Sequence, residues 1–240
     1  MTGTRAHGLH GRISNTPAEH VCVSEGWENG TYRMTVSGRM IESCMKDENL
    51  MLTRTFSSVL GENKLILTDV VENRGMYAEP LMLLYHCNVG YPFLDAGSRI
   101  VTASSVTPND EEAAKNLAAC REITDPQPGI EENLFYHDIR PDADGYASVA
   151  LVNDRLEAGV YLRYPKANMP YLTEWKQLTK QDYVLGLEPG NCMPHGRKRF
   201  REEGLCDTIE AGEKKTFTLE IGILADADEI AAFEARVKTL

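Results

Sequence analysis

The chain has 240 residues, a formal net charge of -11 at pH 7 and a hydrophobic content of 42%. This length allows one core large enough to fold without metals or disulfides, so we expect a single domain spanning residues 1–240 and no cofactor. The acidic balance disfavours nucleic acid and anionic membranes as partners, because most of the surface would repel them. A neutral small molecule or a protein stays open as the partner.

Six cysteines are scattered along the chain without a CxxC pair, and nothing at the N-terminus resembles the apolar segment of a signal peptide. We therefore predict free thiols and a cytoplasmic location. No apolar run approaches the ~20 residues that a membrane-spanning helix requires.

Short β-rich segments recur along the chain, separated by turn residues at roughly the 8–12-residue spacing of an all-β sandwich. Alternating apolar residues predict strands at 31–36 and 216–223. Two β-rich runs between residues 50 and 72 flank a turn at 61–63 and predict a hairpin. Further strands are predicted near 81–87, 99–104, 147–153, 157–164, 171–177 and 183–188.

Helical periodicity occurs in two places, at 110–120 and at the C-terminal end of the chain. At the C-terminal end, Asp226 and Glu229 form a start signal ahead of apolar residues at 230, 233 and 237. We expect this final helix to pack on a sheet. The segment TDPQPGIEE, residues 124–132, is typical of a surface loop.

Two titratable residues stand at the ends of predicted strands. The run YVLGLE ends in Glu188 directly before a Pro-Gly turn, and the run LMLLYH ends in His86 before CNVGYP. A buried carboxylate is costly unless it is used or paired. Alternation places Gly186 on the same face as Glu188, where it leaves room beside the carboxylate. The two strand faces would form a pocket if they meet.

A third candidate is His10 in HGLHGRISNTPAE, where glycines let a ligand approach the backbone and Arg12 offers a fork of donors. For each of these residues, a purely structural histidine or ion pair is the alternative interpretation. Imidazole and carboxylate also suit several divalent ions, and the ligands of such a metal site would be His10, His86, Glu188 and His195. No HxH or HExxH spacing supports that site, and we predict no metal.

Other motifs give little support for a function. The basic cluster 197–201 is followed by Glu202 and Glu203, which predicts a solvated segment paired with itself. His137 has no supporting constellation, although Asp138 and Arg140 beside it offer polar contacts to a ligand. No GxGxxG, GxxxxGK[ST] or GxSxG occurs, so no sequence motif supports nucleotide binding or serine-hydrolase chemistry.

Three segments taken together, LHGRISNTPAE, LLYHCNVGYPFLDAG and LGLEPGNC, resemble the galactose mutarotase, or aldose 1-epimerase, superfamily. The resemblance is strongest to a bacterial aldose-epimerase-like branch of unknown function, and it covers essentially the whole chain in order. It implies an all-β fold, a galactose mutarotase-like β-supersandwich whose concave face binds a small-molecule sugar. Combined with the periodicity at the C-terminal end, it predicts such a fold with a C-terminal helix.

The resemblance also implies roles for individual residues. His86 matches the general acid, Glu188 the general base and His10 the histidine that holds the sugar ring. Mutarotation needs a base to take the anomeric proton while an acid protonates the ring oxygen, and these residue types suit both tasks. The predicted substrate-binding residues are Arg12, Asn88, Asp138 and Trp175.

Two departures from the family pattern modify these expectations. The segment CNVGYP after His86 and the arginine at position 12 predict an altered sugar preference. Nine residues precede His10, which predicts an N-terminally shortened chain with an exposed sheet edge and weaker stability or self-association.

The leading hypothesis is an isomerase, an aldose 1-epimerase-like enzyme that interconverts the anomers of a sugar or sugar derivative. A non-catalytic carbohydrate-binding protein on the same scaffold is the main alternative. A third hypothesis is an isomerase for an open-chain or acidic sugar, whose carboxylate Arg12 and the region around Arg197 would hold. The sequence defines neither the sugar nor the oligomeric state.

Overall fold

A computed structural model describes residues 8–240 of the chain. Strands make up 48% and helices 12%, which confirms the predicted all-β class with a C-terminal helix. The strands are β1 (Glu19–Glu28), β2 (Thr31–Ser43), β3 (Asn49–Val59), β4 (Lys64–Asn73), β5 (Glu79–Pro80), β6 (Cys87–Val89), β7 (Arg99–Val101), β8 (Ser104–Pro108), β9 (Asn133–Ile139), β10 (Tyr146–Asn153), β11 (Ala158–Pro165), β12 (Tyr171–Leu178), β13 (Tyr183–Gly190), β14 (Thr208–Ile209) and β15 (Lys214–Leu224). The α-helices are α1 (Glu111–Lys115), α2 (Arg197–Glu202) and α3 (Ala227–Lys238).

The chain forms two compact units. Of the described residues, the first unit comprises those up to 82 and 197–219, and the second comprises 83–196 and 220–240. The expectation of a single domain stays a prediction. Within residues 8–240, no helix is long and apolar enough to span a membrane.

The sheet of the first unit has the strand order β1-β2-β3-β4-β15. The predicted hairpin at 50–72 is confirmed as β3 and β4, which turn through Gly61 with a φ of 89°. This positive φ explains why a glycine stands in the turn. The strands bury one face, with Leu52, Leu67 and Val71 at 5–6% exposure, as period-two alternation requires.

Strand β1 is an element that the sequence did not predict. It pairs with β2 at the end of the strand order and is exposed over nearly its whole length, with Val23 and Trp27 about 70% exposed. Because few of its side chains are buried, β1 lacks the clear alternation of apolar and polar residues by which a strand is recognised in a sequence. Whether this edge leads to self-association stays a prediction.

The second unit carries the strands that matter most for the candidate site. One sheet has the antiparallel order β6-β13-β12-β9-β8, and another run of strands has the order β15-β11-β10-β7. Strand β10 supplies much of the core, with four consecutive residues from Val149 to Val152 fully buried. The final helix, α3, begins as predicted: Asp226 accepts a hydrogen bond from the Glu229 backbone at 2.8 Å. Its Ile230 and Phe233 pack against Val152 and its neighbours.

Three predicted elements differ from the observed ones. The strand predicted at 81–87 is wrong, because residues 81–86 form no regular strand and β6 begins only at Cys87. Leu81 and Tyr85 are 5% exposed. The run is apolar because tertiary packing buries it, although it does not form a strand. The strand predicted at 99–104 is two short strands, β7 and β8. The helix predicted at 110–120 ends at Lys115 and is followed by a short 3-10 turn, Leu117–Ala119.

Candidate functional site

Glu188 lies near the end of β13, with its side chain only 4% exposed. The neighbour on the same face, Gly186, is required there: a Cβ at this position would lie 2.6 Å from the Glu188 Oε1 atom and 3.3 Å from Trp175. A carbon and an oxygen cannot approach that closely without displacement. The glycine therefore leaves the space that the carboxylate occupies, as its position in the sequence predicted.

His86 contacts the Glu188 carboxylate directly. Its Nε2 atom lies 2.9 Å from Glu188 Oε1, and its Nδ1 atom lies 2.8 Å from Asn88 Oδ1. Because both ring nitrogens face oxygen acceptors, this geometry favours an imidazolium with a proton on each nitrogen. The hydrogen bond to Glu188 is the largest cause that raises the His86 pKa above its ordinary value, although partial burial works against it. The side chain stays 32% exposed.

Trp175 lies next to this pair. It is the β12 partner of Gly186, and its ring meets the His86 ring edge-on, with centroids 5.5 Å apart. Its indole Nε1 donates to Glu132 Oε2 at 2.8 Å, which fixes the orientation of the ring. The structure thus brings together four of the seven predicted site residues: Glu188, His86, Asn88 and Trp175.

Two further residues share the face of Glu188, and sequence reasoning missed both. Thr173 on β12 lies opposite Glu188, and Tyr136 on β9 lies opposite Thr173. Directly opposed residues share a sheet face, and strands are about 4.8 Å apart, so Tyr136 lies about 10 Å from Glu188. Thr173 is fully buried, and its Oγ1 has no hydrogen-bond partner within the described part of the chain. His195 packs its ring 5.0 Å from that of Tyr136.

Asp138 lies on the same face of β9 as Tyr136 but is exposed and forms an ion pair with Lys166. His10 and Arg12 belong to the first unit. There Arg12 forms ion pairs with Glu42, at 2.7 Å, and with Glu48. The predicted sugar-binding roles of these three residues stay predictions.

A second histidine–glutamate pair lies on the opposite face of the same sheet. His137 Nε2 is 2.8 Å from Glu174 Oε2, and both side chains are completely buried. Ser104 Oγ lies 2.8 Å from His137 Nδ1, and Lys176 Nζ lies 3.4 Å from Glu174 Oε1. Sequence analysis found no supporting constellation for His137, because its partner is 37 residues away on the neighbouring strand.

Lys176 in turn donates to the backbone oxygens of Ala119, Cys120 and Glu122. This network ties the segment after α1 to β12. All its charged groups have partners inside the fold, which indicates a structural role.

Comparisons with known proteins agree with the predicted resemblance. Residues 1–223 match the model of a family described as a domain of unknown function, DUF4432. No curated protein matches the chain. Among solved structures, a "putative aldose 1-epimerase" from Klebsiella pneumoniae is 27% identical, with a TM-score of 0.92. The match covers 96% of this chain and 60% of that one, so the chain spans only part of that protein's length.

Two more distant structures share the fold. A galactose mutarotase-like protein from Clostridium acetobutylicum is 15% identical with a TM-score of 0.61, and the match covers 89% of this chain and 68% of that one. A galactose 1-epimerase from Lactobacillus acidophilus is 10% identical with a TM-score of 0.54, covering 85% of this chain and 66% of that one. The chain therefore has a galactose mutarotase-like fold, as predicted.

Proposed function

The chain belongs to the DUF4432 family of domains of unknown function, and from its site we propose that it interconverts the anomers of a reducing sugar by acid–base catalysis. The observation that carries this proposal is the His86–Glu188 pair, an imidazole and a carboxylate 2.9 Å apart beside an oriented tryptophan. The mutarotase-like fold supports a sugar as the substrate class.

The proposed reaction uses both members of the pair. Glu188 takes the proton from the anomeric hydroxyl, and the electron pair released forms the carbonyl at C1 while the bond from C1 to the ring oxygen breaks. His86 delivers its Nε2 proton to that ring oxygen. The open-chain sugar rotates about the C1–C2 bond, and the same steps in reverse close the other anomer.

Adjacency of acid and base suits this chemistry. The anomeric hydroxyl and the ring oxygen are bonded to the same carbon, so one bound sugar can reach both groups when it replaces their direct contact. The hydrogen bond to Glu188 raises the His86 pKa above the ordinary histidine value, which favours the protonated form that a general acid needs. Glu188 is nearly buried, and its ion-pair partner among the described residues is His86, which the substrate would separate from it.

The neighbouring side chains suit a neutral, hydroxyl-rich ring. Trp175 offers an aromatic surface with a fixed orientation, on which an apolar face of a sugar ring can pack. The overall acidity of the chain favours a neutral sugar over an anionic one.

A second candidate function is carbohydrate binding without turnover. The direct contact of His86 with Glu188 favours it to some extent, because an acid and a base engaged with each other stabilise the unliganded state. The two candidates differ in one measurable property, since only the enzyme accelerates anomer exchange.

The test is anomer exchange followed by NMR. Freshly dissolved α-anomers of hexoses, pentoses and uronic acids are given to the wild type and to the Glu188→Gln protein. We expect the wild type to accelerate exchange of at least one sugar and Glu188→Gln to lose that acceleration while it stays folded. Acceleration that survives Glu188→Gln would remove Glu188 as the base. Binding of a sugar without acceleration by the wild type would favour the second candidate.

A further inference from the structure

A pocket of about 410 Å³ that is open to solvent lies at the far end of β12 and β13 from the His86–Glu188 pair. It is bounded by the loop 128–130, by the β12–β13 turn 179–182 and by the side chain of Gln177. This volume is within the range of small-molecule sites in proteins. We call it the hairpin cavity.

The hairpin cavity and the proposed catalytic pair share one sheet face. Gln177 and Trp175 alternate along β12 with Thr173, which lies opposite Glu188. The strand rises about 3.4 Å per residue, so Gln177 lies about 7 Å beyond Trp175 and about 14 Å along the strand from the level of Glu188. Trp175 thus lies between the pair and the cavity, and its indole bonds to Glu132 at the end of the loop that bounds the cavity.

The loop that forms one wall is held in place by bonds at several points. The backbone N–H of Gln127 donates to the Leu178 oxygen at 3.1 Å, and the Tyr183 hydroxyl donates to the Thr124 oxygen at 2.6 Å. The opposite wall is the turn, where the Thr179 N–H donates to the Asp182 oxygen at 3.1 Å. A cavity with both walls fixed is pre-organised for a ligand, which lowers the entropic cost of binding.

Gln177 supplies a polar group that the fold does not use. Its side chain is half-buried, and its Oε1 atom has no hydrogen-bond partner among residues 8–240. Buried polar atoms in folded proteins nearly always have partners. The terminal amide torsion is soft, so rotation turns the amide toward the cavity without movement of the backbone.

The lining indicates the chemistry of the ligand. Amide, hydroxyl and backbone groups dominate it, and its two charged side chains, Lys180 and Asp182, have opposite signs. A phosphate or carboxylate would require a cluster of cationic donors, usually with arginine, which the lining lacks. A neutral molecule rich in hydroxyl groups matches these donors and acceptors.

We propose that the hairpin cavity is a second carbohydrate subsite, so that the substrate is a reducing disaccharide or longer saccharide. The reducing unit lies at His86 and Glu188, the next unit lies over Trp175 with its far hydroxyl groups toward Gln177, and any further unit enters the cavity. One pyranose ring does not span the roughly 14 Å between these two places. This inference rests on the proposed function for the position of the reducing unit.

Calorimetry on the folded Glu188→Gln protein tests the subsite without turnover. The probes are lactose, maltose, cellobiose and β-1,4-galactobiose, each compared with glucose or galactose, the monosaccharide at its reducing end. We expect at least one disaccharide to bind about 10-fold or more tightly than its monosaccharide. Disaccharides that bind no better than their monosaccharides, or no binding by any probe, would overturn the subsite.

Gln177 variants in the same background sharpen the result. Gln177→Leu removes the hydrogen-bonding groups at similar size, so the ratio of disaccharide to monosaccharide affinity should fall about 3- to 10-fold. Gln177→Glu keeps an acceptor oxygen and should retain most of the ratio, a rescue that a purely structural role would not produce. An unchanged ratio in Gln177→Leu, with an unchanged melting temperature, would contradict the assignment.

Failure of the subsite and failure of the proposed function give different results. If wild type accelerates anomer exchange of monosaccharides and shows no preference for disaccharides, the subsite is wrong and the catalytic proposal stands. If a disaccharide binds with the expected preference and no sugar exchanges faster, the subsite stands and the catalytic proposal is wrong.

Discussion

The sheet carries two histidine–glutamate pairs on opposite faces, His86–Glu188 and His137–Glu174. Their shortest contacts are nearly equal, 2.9 and 2.8 Å. They differ in what surrounds them: His137 and Glu174 are completely buried, whereas 32% of the His86 side chain is exposed. Ser104 and Lys176 complete the buried pair from inside the fold.

This comparison shows that a short histidine–carboxylate distance alone does not identify an active site. The His137–Glu174 pair is completely buried and has further partners in Ser104 and Lys176, so its interactions stabilise the fold. In the other pair Glu188 is nearly buried, but the His86 side chain is 32% exposed and its ring lies beside Trp175. The following predictions test whether His137–Glu174 stabilises the fold and His86–Glu188 serves catalysis.

The largest expected effect is on catalysis. His86→Gln should lower kcat/KM for anomer exchange by about 10²- to 10⁴-fold, the usual contribution of a general acid. The free energy of unfolding should fall by no more than about 1–3 kcal/mol, because glutamine can still donate a hydrogen bond to the nearly buried Glu188. His20→Gln is the control, since His20 is an exposed histidine on β1. Similar rates for both variants would contradict the role of His86.

Removal of the buried carboxylate should act on stability. Glu174→Ala leaves His137 and Lys176 buried without their partner, and we expect the free energy of unfolding to fall by about 3–5 kcal/mol. Glu188→Ala should cost less than Glu174→Ala, because the partly exposed His86 can turn to water. Urea denaturation of the two variants measures both values. Equal losses would mean that the two pairs do not differ in structural role.

Gly186→Ala tests the space beside the carboxylate. The new methyl group would lie 2.6 Å from Glu188 Oε1, so we expect a loss of about 1–3 kcal/mol of stability and a lower kcat/KM as the carboxylate is displaced. Gly26→Ala is the matched control, because a Cβ at this strand position meets no atom within 4 Å. The account fails here if both substitutions leave stability and rate equally unaffected.

The smallest effect is a shift in titration. The His86 pKa is raised chiefly by the hydrogen bond to Glu188, so its NMR midpoint should lie above about 6.5 and should fall in Glu188→Gln. Because the folded pKa is the higher one, the stability that the pair contributes is present below the ordinary histidine pKa. It is lost as the pH rises through the folded value. An identical midpoint in both proteins would show that Glu188 does not hold the proton on His86.

Several parts of this arrangement were predictable from the sequence. Glu188 ends an apolar run directly before a turn, which predicted its position near the end of β13. The position of Gly186 predicted the space beside the carboxylate. Alternation in Lys214–Leu224 and the start signal at Asp226 predicted β15 and α3.

Other parts depend on register and packing, which one sequence does not contain. Nothing local distinguishes Glu174 from an exposed glutamate, because its partners come from β9 and from the segment after α1. The run before His86 was predicted as a strand because it is apolar, whereas tertiary packing is what buries it. The hairpin cavity requires the loop at 128–130 to fold back on β12, a contact that periodicity does not predict.

The most direct test of the central claim is the rate of anomer exchange, measured by NMR on one accepted sugar with Glu188→Gln and Glu174→Gln side by side. Both substitutions replace a carboxylate in a histidine pair with an amide of the same shape. We predict that Glu188→Gln loses the acceleration and stays folded, whereas Glu174→Gln, at a temperature where it is folded, keeps a rate near that of the wild type. Exchange that persists in Glu188→Gln and disappears in folded Glu174→Gln would contradict the account.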